Sequence, residues 1–139
     1  MKIGIAGYGF VGKAHHELLK EKHEIKIYDP GLGFTEWPND VDGIIVCVST
    51  PQKQDGSCHM DNVYDVVERC HDVPILIKST ISVEGWQMLS ETFPQKMLNF
   101  SPEFLREATW LDVSVVALSA PTCTFTPVLV PSNSETPLN

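Results

Sequence analysis

Gly7-Tyr8-Gly9-Phe10-Val11-Gly12 narrows the folds open to this chain more than any other six residues. The hexad follows a short β-prone run, Lys2–Ala6 (KIGIA). It opens a stretch over residues 10–21 in which Val11, Ala14, Leu18 and Leu19 recur at helical spacing. A G-x-G-x-x-G placed between a strand and a helix has a mechanical reading. Gly7 permits the tight turn, Gly9 lets a ligand approach the backbone, and Gly12 lets the helix pack closely on the strand. The helix N-terminus then offers N–H groups and the positive end of its dipole to an anion such as a pyrophosphate. Glycine-rich turns are common, so context decides. Here Asp29 stands 22 residues after Gly7, at the end of the β-prone run Glu24–Tyr28 (EIKIY), where a carboxylate can accept from the ribose hydroxyls of an adenosine. No Lys or Arg occurs between Lys26 and Lys53 to pair with a 2′-phosphate, which favours NAD over NADP as the cofactor.

The pattern continues down the chain. Residues 43–48 (GIIVCV) form an apolar run suited to a parallel strand covered on both faces. Asp61 reads as the N-cap of a helix over 62–70, with Val63, Val66 and Val67 facing inward. Residues 74–77 (PILI) make another buried strand, Ser82 caps a helix running to Phe93, and 96–100 (KMLNF) make a fifth strand. Ser101-Pro102 then starts a further helix, with Ser as cap and Pro at the first helical position. Strands alternating with helices across short loops predict an α/β protein with a Rossmann-type, doubly wound parallel sheet. The crossover over 30–42 is lean, with Gly31, Gly33 and Pro38 and no helical period, so irregular structure is expected there. A single domain over residues 1–120 is the expectation, followed by a Pro/Ser/Thr-rich tail, 121–139, read as extended or disordered.

Ligands of open α/β sheets bind beyond the carboxyl ends of the strands. Besides the glycine turn and Asp29, polar groups stand at that edge after three strands: Ser49-Thr50-Pro51, then Ser79-Thr80, then Glu103 with Glu107. Each has a structural reading, since Ser and Thr end strands, a hydroxyl satisfies a turn, and Glu suits a helix N-terminus. It is their repetition at one edge that points to a site.

Composition removes other classes. Ten Lys and Arg against eighteen Asp and Glu give a net charge of −8, a poor basis for a nucleic-acid or anionic-membrane surface. No run reaches the ~18–20 apolar residues that span a bilayer. The apolar residues after Lys2 are broken by Gly4, Gly7 and Gly9 and lead to His15, His16 and Glu17 without a small-residue cleavage site, so a cytoplasmic setting is expected. Cys47, Cys58, Cys70 and Cys123 show no paired spacing, so disulfides are not expected. Cys58-His59 and Cys70-His71 repeat a dipeptide, but adjacent residues rarely point at one ion, and no metal site is expected.

These motifs occur in a telling order: Gly7 to Gly12, Asp29, the Ser49-Thr50-Pro51 loop leading to Gly56 and Asp61, Lys78-Ser79-Thr80, and Ser101-Pro102-Glu103-Phe104-Leu105-Arg106-Glu107. Over roughly residues 1–112 the chain resembles the N-terminal, NAD-binding half of the UDP-glucose/GDP-mannose dehydrogenase family, and the S-P-E-F-L-R-E block is the most specific part of the likeness. The resemblance implies a double oxidation, in which a nucleotide-sugar primary alcohol becomes a carboxylate through two hydride transfers to NAD, with a covalent cysteine adduct between them. It implies that Gly7, Gly9, Phe10, Val11, Gly12, Asp29, Ser49, Thr50, Pro51, Thr80 and Glu107 lie at the cofactor. It makes Thr80 and Glu103 catalytic: Thr80 helps orient a water, and Glu103 is the acid/base for thioester cleavage. It places Glu103, Phe104, Leu105, Arg106 and Glu107 at the nucleotide sugar.

The family's cysteine nucleophile lies in a second domain, within a G-x-x-C-L-P-K-D-like setting. Nothing in these 139 residues matches it, and Cys123 sits in Pro-Thr-Cys-Thr-Phe without an activating base nearby in sequence. The chain therefore reads as the truncated cofactor half, binding NAD without oxidising a sugar alone. Two other readings stay open: an activity completed in trans by a partner chain or second copy, and a non-catalytic NAD-binding module. A β-hydroxyacid dehydrogenase shares the turn but leaves S-P-E-F-L-R-E unexplained.

Overall fold

The computed structural model describes residues 1–102. Along them run β1 (Lys2–Ala6), α1 (Phe10–Leu19), β2 (Glu24–Tyr28), a 3-10 turn (Pro30–Leu32), β3 (Gly43–Val46), α2 (Asp61–Arg69), β4 (Ile75–Ile77), α3 (Val83–Thr92) and β5 (Leu98–Phe100). The strands form one parallel sheet in the order β2-β1-β3-β4-β5. From β1 the chain first lays β2 on one side, then returns to lay β3, β4 and β5 on the other. The direction thus reverses between β1 and β3, the place where a doubly wound sheet opens a crevice at its carboxyl edge.

The register explains the apolar runs. Ala6 pairs with Val46 and Val46 with Ile77, while Ile44 pairs with Ile75, so these residues share one face. That face is buried under Val63, Val66 and Val67 of α2 and Leu89 of α3. On the opposite face Ile5 and Ala14 are buried, and Gly12 of α1 comes so close that a Cβ on it would lie 3.4 Å from Ile5 Cγ2. Right-handed crossovers on the two sides of β1 give this arrangement, with α1 on one face and α2 and α3 on the other.

The lean crossover is irregular, as expected, apart from its 3-10 turn and a bridge between Asp29 and Phe34. It still covers the sheet. Trp37 packs edge-on against Tyr28 with ring centroids 4.9 Å apart, and Pro38 Cγ would be 3.1 Å from a Cβ on Gly4. Two side chains do here what a crossover helix does elsewhere.

Several boundaries differ from expectation for visible reasons. Asp61 is not the N-cap of α2. Met60 takes that position with helical backbone angles and no side-chain cap bond, and Asp61 becomes the first helical residue. Its carboxylate lies 3.2 Å from His59 Nε2, and it stands in the first turn, where the helix dipole favours an acid. β3 stops at Val46, two residues short of the expected run, where the Val46 carbonyl accepts from both the Lys78 and Ser79 amides. β5 begins only at Leu98, since the Lys96 amide is turned back onto the Phe93 carbonyl at 3.1 Å. Ser82 does cap α3, accepting from Gly85 N at 3.0 Å. The tail, the boundary near residue 120 and the helix expected after Ser101-Pro102 lie outside the described residues. No helix among the described residues is long and apolar enough to cross a membrane.

Leu89 is fully buried between α3 and the sheet, whereas Val83 on the same helix is 79% exposed. Leu89→Ala should lower the unfolding free energy by about 2–5 kcal/mol, and Val83→Ala should change it by less than about 0.5 kcal/mol. Urea unfolding checks both; equal effects would contradict this packing.

Candidate functional site: a cleft at the carboxyl edge

The site begins where β1 ends. Gly7 has a φ of 92°, a conformation side chains rarely adopt, and a Cβ there would lie 2.5 Å from the Cys47 carbonyl oxygen. Its amide donates to the Tyr28 carbonyl at 2.8 Å, so the exit of β1 is held between those of β2 and β3. Gly12 is tighter still, because a Cβ would stand 2.1 Å from the Gly7 carbonyl oxygen. Gly9 is the opposite case: nothing lies within 4 Å of where its Cβ would be. Two glycines close the turn and the third opens it.

Gly9 is also the N-cap of α1. It is extended, no side chain caps the helix, and the first turn carries no acid. The orphan end of the helix therefore looks onto the space above Gly9, where an anion is favoured by the backbone N–H groups and the dipole together.

Asp29 reaches the same turn. Its Oδ2 accepts from the Tyr8 amide at 2.7 Å, which fixes the carboxylate beside the glycine loop. A carboxylate offers about four lone-pair sites, so this bond leaves capacity for ligand hydroxyls. Tyr8 is braced in turn: its ring meets Phe34 edge-on at 5.6 Å and its hydroxyl pairs with His16 Nδ1. Burial, followed by the charge of Glu17, raises the Tyr8 phenol above its usual pKa.

A cleft of about 540 Å³ opens at the switch point, with Gly7, Gly9, Asp29, Ser49, Asn62 and Asp65 in its walls. A smaller hollow of about 240 Å³ continues past Ser49, lined by Phe10, Val11, Thr50, Ser79 and Thr80. Among the described residues, the edge residues expected from the sequence line these two hollows, with Gly12 buried behind them. Pro51 is the exception: it faces a neighbouring hollow with Gln52, Lys53 and His59.

Hydrogen bonds sort the edge hydroxyls. Ser79 Oγ donates to the Val48 carbonyl at 2.8 Å and is a turn-satisfying group. Thr50 Oγ1 donates to the Thr80 carbonyl at 2.6 Å, joining the exits of β3 and β4. Asn62 Nδ2 donates to the Ser49 carbonyl at 3.1 Å, joining α2 to the same edge. Lys78 is buried and its Nζ donates to Ser101 Oγ at 3.1 Å, tying the exit of β4 to that of β5. The sequence reading missed Tyr8, Asn62, Asp65 and Lys78 as site neighbours. Only the Lys78-Ser79-Thr80 run hinted at one of them.

Glu103, Phe104, Leu105, Arg106 and Glu107 lie outside the described residues. Of the cysteines, Cys70 is a core residue: its thiol donates to the Val66 carbonyl at 3.1 Å, and burial pushes its pKa up to about 11. Such a thiol makes a poor nucleophile near neutral pH. Among the described residues no three His, Cys, Asp or Glu side chains are grouped to hold a metal ion.

No family profile matches the sequence. Solved structures do match. The chain is similar to a GDP-mannose dehydrogenase from Pseudomonas aeruginosa, solved as a ternary complex, with a TM-score of 0.58 and 20% identity over 81% of this chain. It is similar to a UDP-D-ManNAc dehydrogenase from Pyrococcus horikoshii, with a TM-score of 0.63 and 15% identity over 81% of this chain. It is similar to a UDP-glucose dehydrogenase from the hyperthermophilic archaeon Pyrobaculum islandicum, with a TM-score of 0.59 and 17% identity over 80%. In each case the match covers 38% of the other chain, so this chain spans about two-fifths of the structures it resembles. What it shares with these nucleotide-sugar dehydrogenases is the Rossmann-type α/β fold.

Proposed function

We propose that this chain binds NAD as the cofactor portion of a nucleotide-sugar dehydrogenase. One observation carries the reading: the side-chain-free space over Gly9, at the uncapped N-terminus of α1, opens on the same cleft as the anchored carboxylate of Asp29. The donor set suits the cofactor. Backbone N–H groups of the turn would hold the two phosphates, and Asp29 would accept from the adenosine ribose. The other nucleoside would then extend across Phe10 and Val11 toward Ser49, Thr50 and Thr80, where the smaller hollow lies. When bound, NAD supplies the hydride acceptor.

The fold likeness and the order of motifs support the finer reading. In it Thr80 orients a water, Glu103 moves its proton, and Phe104, Leu105, Arg106 and Glu107 meet a nucleotide sugar of the UDP-glucose class, in the cytoplasm. Glu107 also reaches the cofactor, and Pro51 helps shape the approach to it. A cysteine nucleophile would come from a second domain, a partner chain or another copy. The chain offers neither a nucleic-acid nor a membrane surface in this reading, consistent with its charge of −8.

Calorimetry on the 139-residue chain should register NAD binding. Gly9→Val should weaken it at least about tenfold, or 1.4 kcal/mol, in a chain that still folds, because the added Cβ enters open space above the turn. Asp29→Asn should weaken NAD by about the same factor. No heat with millimolar NAD would overturn the reading.

The chain alone should give no sustained NADH from NAD and UDP-glucose, followed by absorbance, and a separately made cysteine-bearing domain should restore turnover. Steady NADH formation by the chain alone would contradict the assignment. Glu103→Ala should abolish the restored turnover while leaving NAD affinity intact; an unaffected rate would remove Glu103 as the acid/base, and NAD binding with no turnover restored would point instead to a binding module.

A further inference from the structure

We infer that Asp65 is a second determinant, beside Asp29, of which dinucleotide the cleft accepts, and that it excludes a 2′-phosphorylated adenosine partly by holding Arg69 away. The inference rests on the cofactor reading above and adds to it a residue and a mechanism of selection.

Asp65 lines the cleft from α2, on the face it shares with Asn62 and Val66, across from Asp29, Pro30 and Gly31. The walls therefore carry two carboxylates, and among the described residues no Lys, Arg or His lines them. The cation missing from the walls stands one helical turn further along. Arg69 Nε lies 3.2 Å from Asp65 Oδ1, and its Nη1 donates to the Tyr28 hydroxyl at 3.0 Å. The guanidinium carbon is 5.8 Å from the centre of the Tyr28 ring and 5.9 Å from that of Trp37, within cation–π range of both. Tyr28 immediately precedes Asp29 and itself lines the cleft. Arg69 is thus latched beside the adenosine end of the site without entering it.

The pair is half-exposed, with side chains 52% and 47% accessible, so it contributes little to folding stability. Its consequence is selectivity. Ribose hydroxyls find acceptors at that end of the cleft, whereas a 2′-phosphate, with a charge of about −1.5 to −2, meets two carboxylates and an arginine already engaged. Removing Asp65 takes away one repelling charge and the ionic part of the latch, leaving the guanidinium held only by Tyr28 and Trp37 against the pull of the phosphate.

The test titrates the full 139-residue chain with NAD and with NADP, by calorimetry, at low and at physiological salt. The native chain should prefer NAD. Asp65→Ala should raise the affinity for NADP relative to NAD by about tenfold at low salt, less at high salt. In Asp65→Ala/Arg69→Met the gain should shrink to about threefold, and Arg69→Met alone should leave NADP no tighter. Circular dichroism should show all variants folded, as both side chains are on the surface. Equal native affinities for the two dinucleotides, NADP unmoved relative to NAD by Asp65→Ala, or a gain of the same size with and without Arg69 would overturn the inference. If the native chain binds no NAD, it is the cofactor reading that fails, and this inference falls with it.

Discussion

The backbone of α1 meets the carbonyl of Gly7 so closely at Gly12 that a single carbon atom there would stand 2.1 Å from the oxygen. That contact sets the height of the helix on the sheet. With α1 lodged against the exit of β1, its first turn stands at the carboxyl edge, and the unshielded backbone at Gly9 faces the crevice. Gly7 completes the wedge by pressing backbone against backbone at Cys47. A helix lifted off Gly7 would carry its first N–H groups away from the turn to which Asp29 is tied through the Tyr8 amide. Fold and site thus share one set of close contacts, and what a nucleotide would use is the part of the turn left uncovered.

The short crossover after β2 shapes the other wall. Thirteen or so residues are near the minimum for a return to a parallel neighbour. Here a 3-10 turn, the Asp29–Phe34 bridge and two packing side chains, Trp37 and Pro38, do the covering. Beside this crossover Arg69 of α2 lies against Tyr28 and Trp37. The wall of the cleft nearest β2 therefore carries the carboxylate of Asp29, with the Arg69 guanidinium close behind Tyr28.

Much of this was legible in the sequence because it rests on local chemistry. Each strand and helix carries its period in contiguous residues, the three glycines are spaced by the turn they form, and Ser82 announces its helix three residues ahead of the amide it caps. What could not be read depends on partners far along the chain. The Val46 carbonyl at the end of β3 accepts from amides 32 and 33 residues on, Lys78 and Ser79; Asp29 is oriented by an amide 21 residues away; Arg69 meets a hydroxyl 41 residues away. Asp61 misled because a first-turn acid and an N-cap acid look alike in sequence, and the backbone angles of Met60 separate them. The S-P-E-F-L-R-E segment, the most specific part of the resemblance, lies almost wholly beyond residue 102 and remains a sequence argument.

A site built from backbone donors and anchored carboxylates also fits the chain's acidity. It can receive a pyrophosphate without clustered cations, because its attraction is short-ranged and geometric. The most direct measurement is the amide shift map of the isotope-labelled chain on addition of NAD. The account predicts the largest shifts at Tyr8, Gly9, Phe10, Val11 and Gly12, with Asp29 and Ser49 next. Shifts confined to residues 52–59, or to the hollow around Trp37 and Asp40, with the glycine turn silent, would contradict it.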